Sequence, residues 1–198
     1  MVSFPLTWCD MELRGSIDFR WLPETIEKVF ISITYLGEEI DLTALPQSLK
    51  KFELCVNPFV GSADLMHLPG NMELLVLAVS KLDGTVNLEH LPCKLKTLSL
   101  YQNYFSGTLN LTKLPDGIQG MQLWANDFSG TMDLSNLPAS LNELVVEGND
   151  FSGWTDFSQI PETLKILDIS DNEDMEGEVV VQGDLVVIAG RTKVKVIE

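Results

Sequence analysis

The hydrophobic residues of this chain recur with a fixed period along almost its whole length. A Leu-Pro pair, once Ile-Pro, returns every 23 residues and begins seven copies of a repeat, at Leu22, Leu45, Leu68, Leu91, Leu114, Leu137 and Ile160. Aliphatic or aromatic residues follow at fixed offsets, and in the fifth copy these are Ile118, Met121 and Leu123. A unit of this length is typical of a solenoid, in which each copy buries its hydrophobic face against the next.

The spacing within each copy predicts a short strand. Its last two core positions, such as Met121 and Leu123, are separated by one residue, which is the period of a β-strand. Stacked copies should therefore form a parallel sheet over a shared core. About seventeen residues per copy remain outside this strand, and the proline breaks regular structure, so we expect short strands and 3₁₀ turns there.

A polar residue ends each predicted strand. This column holds Thr34 in the first copy, Ser80 in the third, and asparagine in the others, at Asn57, Asn103, Asn126, Asn149 and Asn172. An asparagine amide can satisfy buried backbone groups in a turn, so stacked copies should form a ladder of hydrogen bonds. The phenylalanine or leucine two residues later should plug the core, and the following glycine permits a tight bend.

The resulting consensus, LxxLxLxxNxFSGxxDLxxLP, resembles the leucine-rich repeat family, whose signature is LxxLxLxxN. Its NxFSG part resembles plant-type repeats, and LPxSLxxLxLxxNxFSG resembles arrays in protozoan members. The resemblance covers about residues 4–181. It implies a curved, right-handed repeat solenoid of α/β type that is mostly β, with a parallel sheet on the concave face and short strands or 3₁₀ turns on the convex side. The cysteine-rich caps of many extracellular members are absent from the sequence.

We expect a single leucine-rich repeat domain over the whole chain. Its parts are a partial N-terminal repeat, seven 23-residue repeats and a C-terminal capping strand or hairpin, at residues 1–21, 22–182 and 183–198 respectively. The last segment alternates Val194 and Val196 with Lys193 and Lys195, which indicates an edge guarded by lysines.

Nothing in the sequence indicates catalysis, a metal or a cofactor. Phosphate-binding glycine loops and a nucleophile–base pair are both missing. His67 and His90 hold equivalent positions in adjacent copies of the repeat. The residues at this position in the other copies are not typical metal ligands, so we interpret both histidines as surface residues. The acidic stretch 168–178 lacks the alternating order of an EF-hand loop. We therefore expect a protein that is not an enzyme, with no catalytic, cofactor-binding or metal-binding residues.

The charge of the chain narrows the class of partner. With 29 acidic and 13 basic residues, the formal net charge is −16, which disfavours nucleic acid and anionic membranes. No apolar run approaches the roughly 18 residues of a membrane span, so membrane insertion is not expected.

Cys9, Cys55 and Cys93 should be free thiols, and with no visible signal peptide this favours the cytoplasm. A secreted or cell-surface location is the alternative if the native N-terminus is missing.

The outward residues of the predicted strands would line the concave face, where the resemblance implies that proteins bind. Towards the N-terminus they form an apolar patch, with Phe30, Ile33, Val56, Val76 and Val79. We expect an aromatic cluster at the middle, composed of Tyr101, Tyr104 and Trp124. The C-terminal half is acidic and includes Glu147, Asp168 and Asp171. Exposed apolar and aromatic surface beside charge is typical of recognition sites.

The sequence therefore predicts a protein–protein interaction module whose concave face binds a partner with a basic segment and an apolar anchor. The candidate contact residues are Phe30, Val76, Tyr101, Tyr104, Trp124, Glu147, Asp168 and Asp171. The alternative is a structural or assembly protein that self-associates through its open edge or its apolar concave patch. The sequence leaves the identity of the partner open, and we expect a monomer or a weak homo-oligomer.

Overall fold

Residues 4–198, which the computed structural model describes, form a solenoid of parallel strands whose turns one to seven follow the seven repeats. Two short 3₁₀ helices occur within this range, at Phe19–Trp21 and Leu42–Ala44. In chain order the strands are β1 (Leu6–Gly15), β2 (Lys28–Leu36), β3 (Glu38–Glu39), β4 (Lys51–Cys55), β5 (Phe59–Ser62), β6 (Leu74–Ala78), β7 (Lys81–Gly84), β8 (Thr97–Ser99), β9 (Tyr104–Gly107), β10 (Gly120–Gln122), β11 (Asp127–Gly130), β12 (Glu143–Val145), β13 (Asp150–Asp156), β14 (Ile166–Asp168), β15 (Asp174–Val180), β16 (Val186–Ile188) and β17 (Lys193–Ile197).

The strands form two sheets on opposite sides of the core. The front sheet has the order β1-β2-β4-β6-β8-β10-β12-β14-β16, and the back sheet has the order β17-β15-β13-β11-β9-β7-β5-β3. Pairing is parallel and advances by one repeat, so that Met121 in β10 lies opposite Leu98 in β8 and Leu144 in β12. The predicted parallel sheet and the short strands and 3₁₀ turns of the opposite side are confirmed.

The core between the sheets is built from the repeated hydrophobic columns. Phe105, Phe128 and Phe151 are buried and stack along the solenoid axis. The ring centroids of Phe105 and Phe128 are 6.2 Å apart, and those of Phe128 and Phe151 are 6.5 Å apart. These aromatic side chains therefore plug the core, as the repeat predicts.

The asparagine column forms the expected ladder, and its bonds join neighbouring turns. The Asn126 side-chain nitrogen donates to the carbonyl oxygens of Leu123 (3.1 Å) and Leu100 (3.0 Å). Its side-chain oxygen accepts from the Phe105 amide at 3.1 Å. Leu100 and Phe105 both belong to turn four, whereas Asn126 lies in turn five. The side chain therefore fastens one turn to the next while satisfying buried backbone groups.

Ser80 interrupts this ladder in turn three. Among the described residues, its hydroxyl makes a single hydrogen bond, to the Ala78 carbonyl oxygen at 3.5 Å. By the 23-residue register, an asparagine here would reach the carbonyl of Leu54 and the amide of Phe59, both in turn two. The shorter serine leaves turn three without the side-chain bonds that join the later turns.

The asparagine ladder can be tested by removing one asparagine side chain and by introducing another. Asn126→Ala should lower the free energy of unfolding by about 1–3 kcal/mol, because buried backbone groups lose their partner. Ser80→Asn should raise it by about 1 kcal/mol, because it supplies the missing bonds. Urea denaturation followed by circular dichroism measures both changes. Unfolding midpoints equal to that of the wild type for both variants would refute this role of the column.

The residue before each ladder position adopts a left-handed backbone. Its φ lies between 52° and 62° in Ile33, Val56, Val79, Gln102, Ala125, Gly148 and Asp171, and Asp10 of the partial N-terminal repeat has the same conformation. Three of these residues, Ile33, Val56 and Val79, are β-branched and occupy turns one to three, and we call them the apolar ridge. A β-branched side chain in this conformation is a genuine outlier. It costs about 1–3 kcal/mol per residue.

The C-terminal segment continues the solenoid. Strand β16 joins β14 in the front sheet and β17 joins β15 in the back sheet, both in parallel, so the segment does not form the hairpin that was one of the two expectations. Lys193 lies 2.7 Å from Asp174, and Lys195 lies 3.2 Å from Glu178. At the other end, residues 1–3 of the expected partial repeat lie outside the described residues.

Candidate functional site

Most of the predicted contact residues lie on the front sheet or directly after its strands. Those on the front side are Phe30, Val76, Tyr101, Trp124, Glu147, Asp168 and Asp171. Tyr104 is different, because it is the first residue of β9 in the back sheet, where its side chain is 57% exposed. The aromatic centre of the front face is therefore a pair of rings rather than the predicted cluster of three.

Tyr101 and Trp124 stack face to face, with ring centroids 4.6 Å apart and an interplanar angle of 4°. The Tyr101 hydroxyl lies 3.9 Å from the Cys55 sulfur, two turns towards the N-terminus. Ala78, the equivalent residue of the intervening turn, is fully buried although its column faces outward. A small residue at this position leaves room for the Tyr101 ring to lie along the sheet. The pair forms a flat, half-buried aromatic platform on the front face.

The apolar patch of turns one to three contains a carboxylate that the sequence analysis did not single out. Phe30, Glu53 and Val76 lie side by side on β2, β4 and β6. Burial raises the pKa of Glu53 above its usual value, and the nearby Lys51 opposes this shift. Within residues 4–198 the Glu53 side chain has no hydrogen-bond or salt-bridge partner. An acid is thus held between two hydrophobic side chains on the front face.

The raised pKa of Glu53 has a consequence for stability against pH. Below the ordinary glutamate pKa of about 4.3, the Glu53 carboxyl is protonated in both the folded and the unfolded chain. As the pH rises, the unfolded chain releases this proton more easily than the folded chain, so ionisation of Glu53 lowers the stability of the fold. Glu53→Gln should therefore raise the melting temperature at pH 7, and this gain should shrink towards pH 4. Glu24→Gln, at an exposed position, is the control for the lost charge. An equal gain in melting temperature for both variants, or a gain that grows at low pH, would contradict the raised pKa of Glu53.

The C-terminal end of the front face carries three interacting carboxylates. Burial raises the pKa of Glu147, and repulsion by Asp168 and Asp171 raises it further. Asp168 also accepts hydrogen bonds from the Ser170 amide (3.0 Å) and hydroxyl (2.6 Å). The negative potential is therefore concentrated around Glu147, where a cation would be most strongly attracted.

Part of this negative charge is neutralised from within the chain. Arg191 lies 2.9 Å from Asp171 and 2.7 Å from Glu173. The ion pair of Arg191 with Asp171 was not predicted, because Arg191 belongs to the segment expected to serve only as a cap. Glu147 and Asp168 form no salt bridge among residues 4–198, so both are available to an outside cation.

Metal-binding groups and membrane-spanning helices are absent from the described part of the chain. Residues 4–198 contain no group of three or more histidine, cysteine or acidic side chains placed to hold a metal ion. None of the helices in that range is long and apolar enough to cross a membrane. His67 is exposed and lies 2.8 Å from Asp64, and Cys9, Cys55 and Cys93 are free thiols.

The 23-residue period, the stacked parallel strands and the asparagine ladder define the leucine-rich repeat fold. Among solved structures, the chain is similar to a TDR receptor, with a TM-score of 0.68 and 22% identity over 96% of this chain and 35% of that one. It is also similar to the leucine-rich repeat ectodomain of the receptor kinase GASSHO1/SCHENGEN3 from Arabidopsis thaliana, solved in complex with CASPARIAN STRIP INTEGRITY FACTOR 2. There the TM-score is 0.63 and the identity 24%, over 90% of this chain and 25% of that one.

The chain thus spans about a third or less of the length of these two receptors. A plant ice-binding protein is similar as well, with a TM-score of 0.63 and 15% identity over 98% of this chain and 73% of that one. Neither a family model nor a curated protein matches the sequence. At these identities the likeness shows the fold, and the functional argument depends on the residues of this chain.

Proposed function

We propose that this chain is a protein-interaction module that binds a partner across its front face. The observation that carries the proposal is the stacked pair of Tyr101 and Trp124, which lies between apolar surface on one side and carboxylates on the other. Large aromatic side chains of this kind are enriched among the residues that dominate binding energy at interfaces. The similar receptor from Arabidopsis, solved in complex with CASPARIAN STRIP INTEGRITY FACTOR 2, supports the use of this fold for recognition.

The partner that suits this face combines an apolar anchor with a basic segment. The anchor would cover the Tyr101–Trp124 platform, and the basic residues would meet Glu147 and Asp168. Arg191 supports this pairing, because it already forms ion pairs with Asp171 and Glu173 at the same end. The chain therefore provides an example of the guanidinium contact that we expect from the partner.

Self-association is the second candidate function, and the apolar ridge favours it because Ile33 is 52% exposed and Val56 is 43% exposed. The charge of −16 acts against it, since two identical copies repel each other. Light scattering during size-exclusion chromatography separates the two candidates. A monomer at high concentration would rule out self-association, and a stable dimer would favour it over the binding module.

The binding proposal predicts different kinetic effects for the two halves of the site. As the probe we choose a peptide selected from a random display library on the immobilised full chain. Trp124→Ala should weaken its binding by about 2 kcal/mol, mainly through faster dissociation, because a buried aromatic anchor is lost. Replacing Glu147 and Asp168 with lysine should mainly slow association and flatten its dependence on salt. Surface plasmon resonance measures both rate constants.

His67→Glu is the control for this experiment, because His67 is exposed and lies away from the front sheet. It should bind the peptide as the wild type does. Loss of binding in His67→Glu, with normal binding in Trp124→Ala and in the lysine variant, would overturn the front-face proposal.

A further inference from the structure

The carboxylate of Glu53 lies beside Phe30 and Val76 on the front face, where Lys28 and Lys51 share the same side of β2 and β4. Glu53 belongs to turn two and Glu147 to turn six, so four strand spacings, or about 19 Å, separate it from the acidic end. Its neighbours across the sheet are Phe30 on β2 and Val76 on β6. On its own strand, Cys55 contacts the Tyr101 hydroxyl at 3.9 Å. The partly buried Glu53 side chain therefore has a hydrophobic neighbour on each adjacent strand, with Cys55 and Lys51 on either side of it along its own strand.

The apolar ridge lies on the same three turns as this carboxylate. Ile33, Val56 and Val79 each have φ near 55°, a conformation that glycine or asparagine adopts more easily. The side chains of Ile33 and Val56 are about half exposed and do not belong to the hydrophobic core. Backbone strain and solvent exposure both disfavour these side chains in the free protein. What they provide is hydrophobic surface for a contact outside the chain.

The combination restricts what can dock here. A purely apolar partner would bury Glu53 without a direct ion pair, since Lys51 forms no salt bridge with it among residues 4–198, and this burial is costly. A small cation alone would leave the ridge exposed to water. A second copy of this chain is disfavoured by its charge of −16. A lysine or arginine side chain meets both requirements, because its aliphatic stem packs on apolar surface while its charged end pairs with an acid.

We propose that turns one to three form a subsite for a lysine or arginine of the partner that is flanked by aliphatic residues. Its charged end pairs with Glu53, its stem packs between Phe30 and Val76, and the flanking aliphatic residues cover the apolar ridge. This inference rests on the proposed function, because it assigns a second subsite to the same front face. It adds a contact that is separate from the acidic end at Glu147 and Asp168.

The test compares display-library selections on the immobilised full chain and on two variants. Peptides selected on the wild type should contain lysine or arginine beside leucine, isoleucine, valine or methionine. On Glu53→Gln that enrichment should disappear, while basic residues outside the aliphatic context remain. On the double variant Glu147→Gln with Asp168→Asn, the basic residues beside aliphatic residues should remain enriched, and the other basic residues should lose their enrichment. Unchanged enrichment on Glu53→Gln would overturn the subsite, whereas unchanged enrichment on the double variant would overturn only the acidic end of the proposed function.

One peptide selected on the wild type is then measured by fluorescence anisotropy. Its Kd should rise by about thirtyfold or more on Glu53→Gln, as expected when one partner of a desolvated charge pair is removed. Val56→Asn, which suits the left-handed backbone, should also weaken binding while the protein stays folded. Glu24→Gln removes an equal charge from an exposed position and should leave the Kd within about twofold of the wild type. Equal effects of the two glutamine variants would overturn the proposal in favour of a general charge effect.

Discussion

Phe128→Ala should lower the free energy of unfolding by about 3–5 kcal/mol, the range expected when a buried phenylalanine is truncated. Phe128 is fully buried, and its ring packs between those of Phe105 and Phe151. Truncation opens a cavity in the middle of the stack and weakens the contacts of turn five with both neighbouring turns. Because a solenoid is stabilised mainly by contacts between adjacent repeats, both interfaces of turn five are weakened.

Urea denaturation followed by circular dichroism measures the loss. Phe128→Leu is the matched control, because leucine already fills this column at Leu36 and Leu82. The leucine variant should lose less than about 1.5 kcal/mol, as expected for a hydrophobic replacement of similar volume. Equal losses for the alanine and leucine variants would show that the ring does not fill the core in the way described.

Replacing Ile33, Val56 and Val79 together with asparagine should raise the free energy of unfolding by about 2–3 kcal/mol. Each β-branched side chain stands in a left-handed backbone that costs about 1–2 kcal/mol for an ordinary residue. Asparagine tolerates that conformation much better. The expected sign is unusual, because most substitutions destabilise a protein. Thermal unfolding and urea denaturation both report the change.

The matched control replaces the same three residues with threonine. Threonine is polar but still β-branched, so it removes exposed hydrophobic surface without relieving the backbone. The threonine triple variant should show little or no gain in stability. If its free energy of unfolding rises as much as that of the asparagine triple variant, the exposed apolar surface rather than the backbone strain destabilises the wild type.

The sequence was sufficient to predict the features that the repeat imposes on every turn. Leu98, Met121 and Leu144 occupy equivalent positions in successive copies, so their period alone identifies the front sheet and the core. The asparagine ladder was predictable for the same reason, since one side chain meets the same backbone groups in each turn. Features of this kind depend on local spacing, which the sequence records directly.

The features that escaped prediction depend on individual side-chain directions or on contacts outside the repeat. Tyr101 crosses Ala78 to reach Cys55, which requires a particular ring orientation. Arg191 reaches Asp171 from beyond the last repeat. The three residues of the apolar ridge were predicted as apolar surface, but their left-handed backbone was not, because valine and isoleucine favour extended strands.

The serine at position 80 has a consequence for how neighbouring turns are held together. In a linear array, cooperativity passes between neighbours, and it is weakest where the bonds between two neighbours are fewest. Turn three lacks the side-chain bonds to turn two that Asn126 makes from turn five to turn four. The interface between turns two and three therefore relies on the five-residue pairing of β4 with β6 and on the packing of the core. A partner that bridges Glu53 and Glu147 would span this interface, so binding would add contacts between turns that the missing asparagine does not supply.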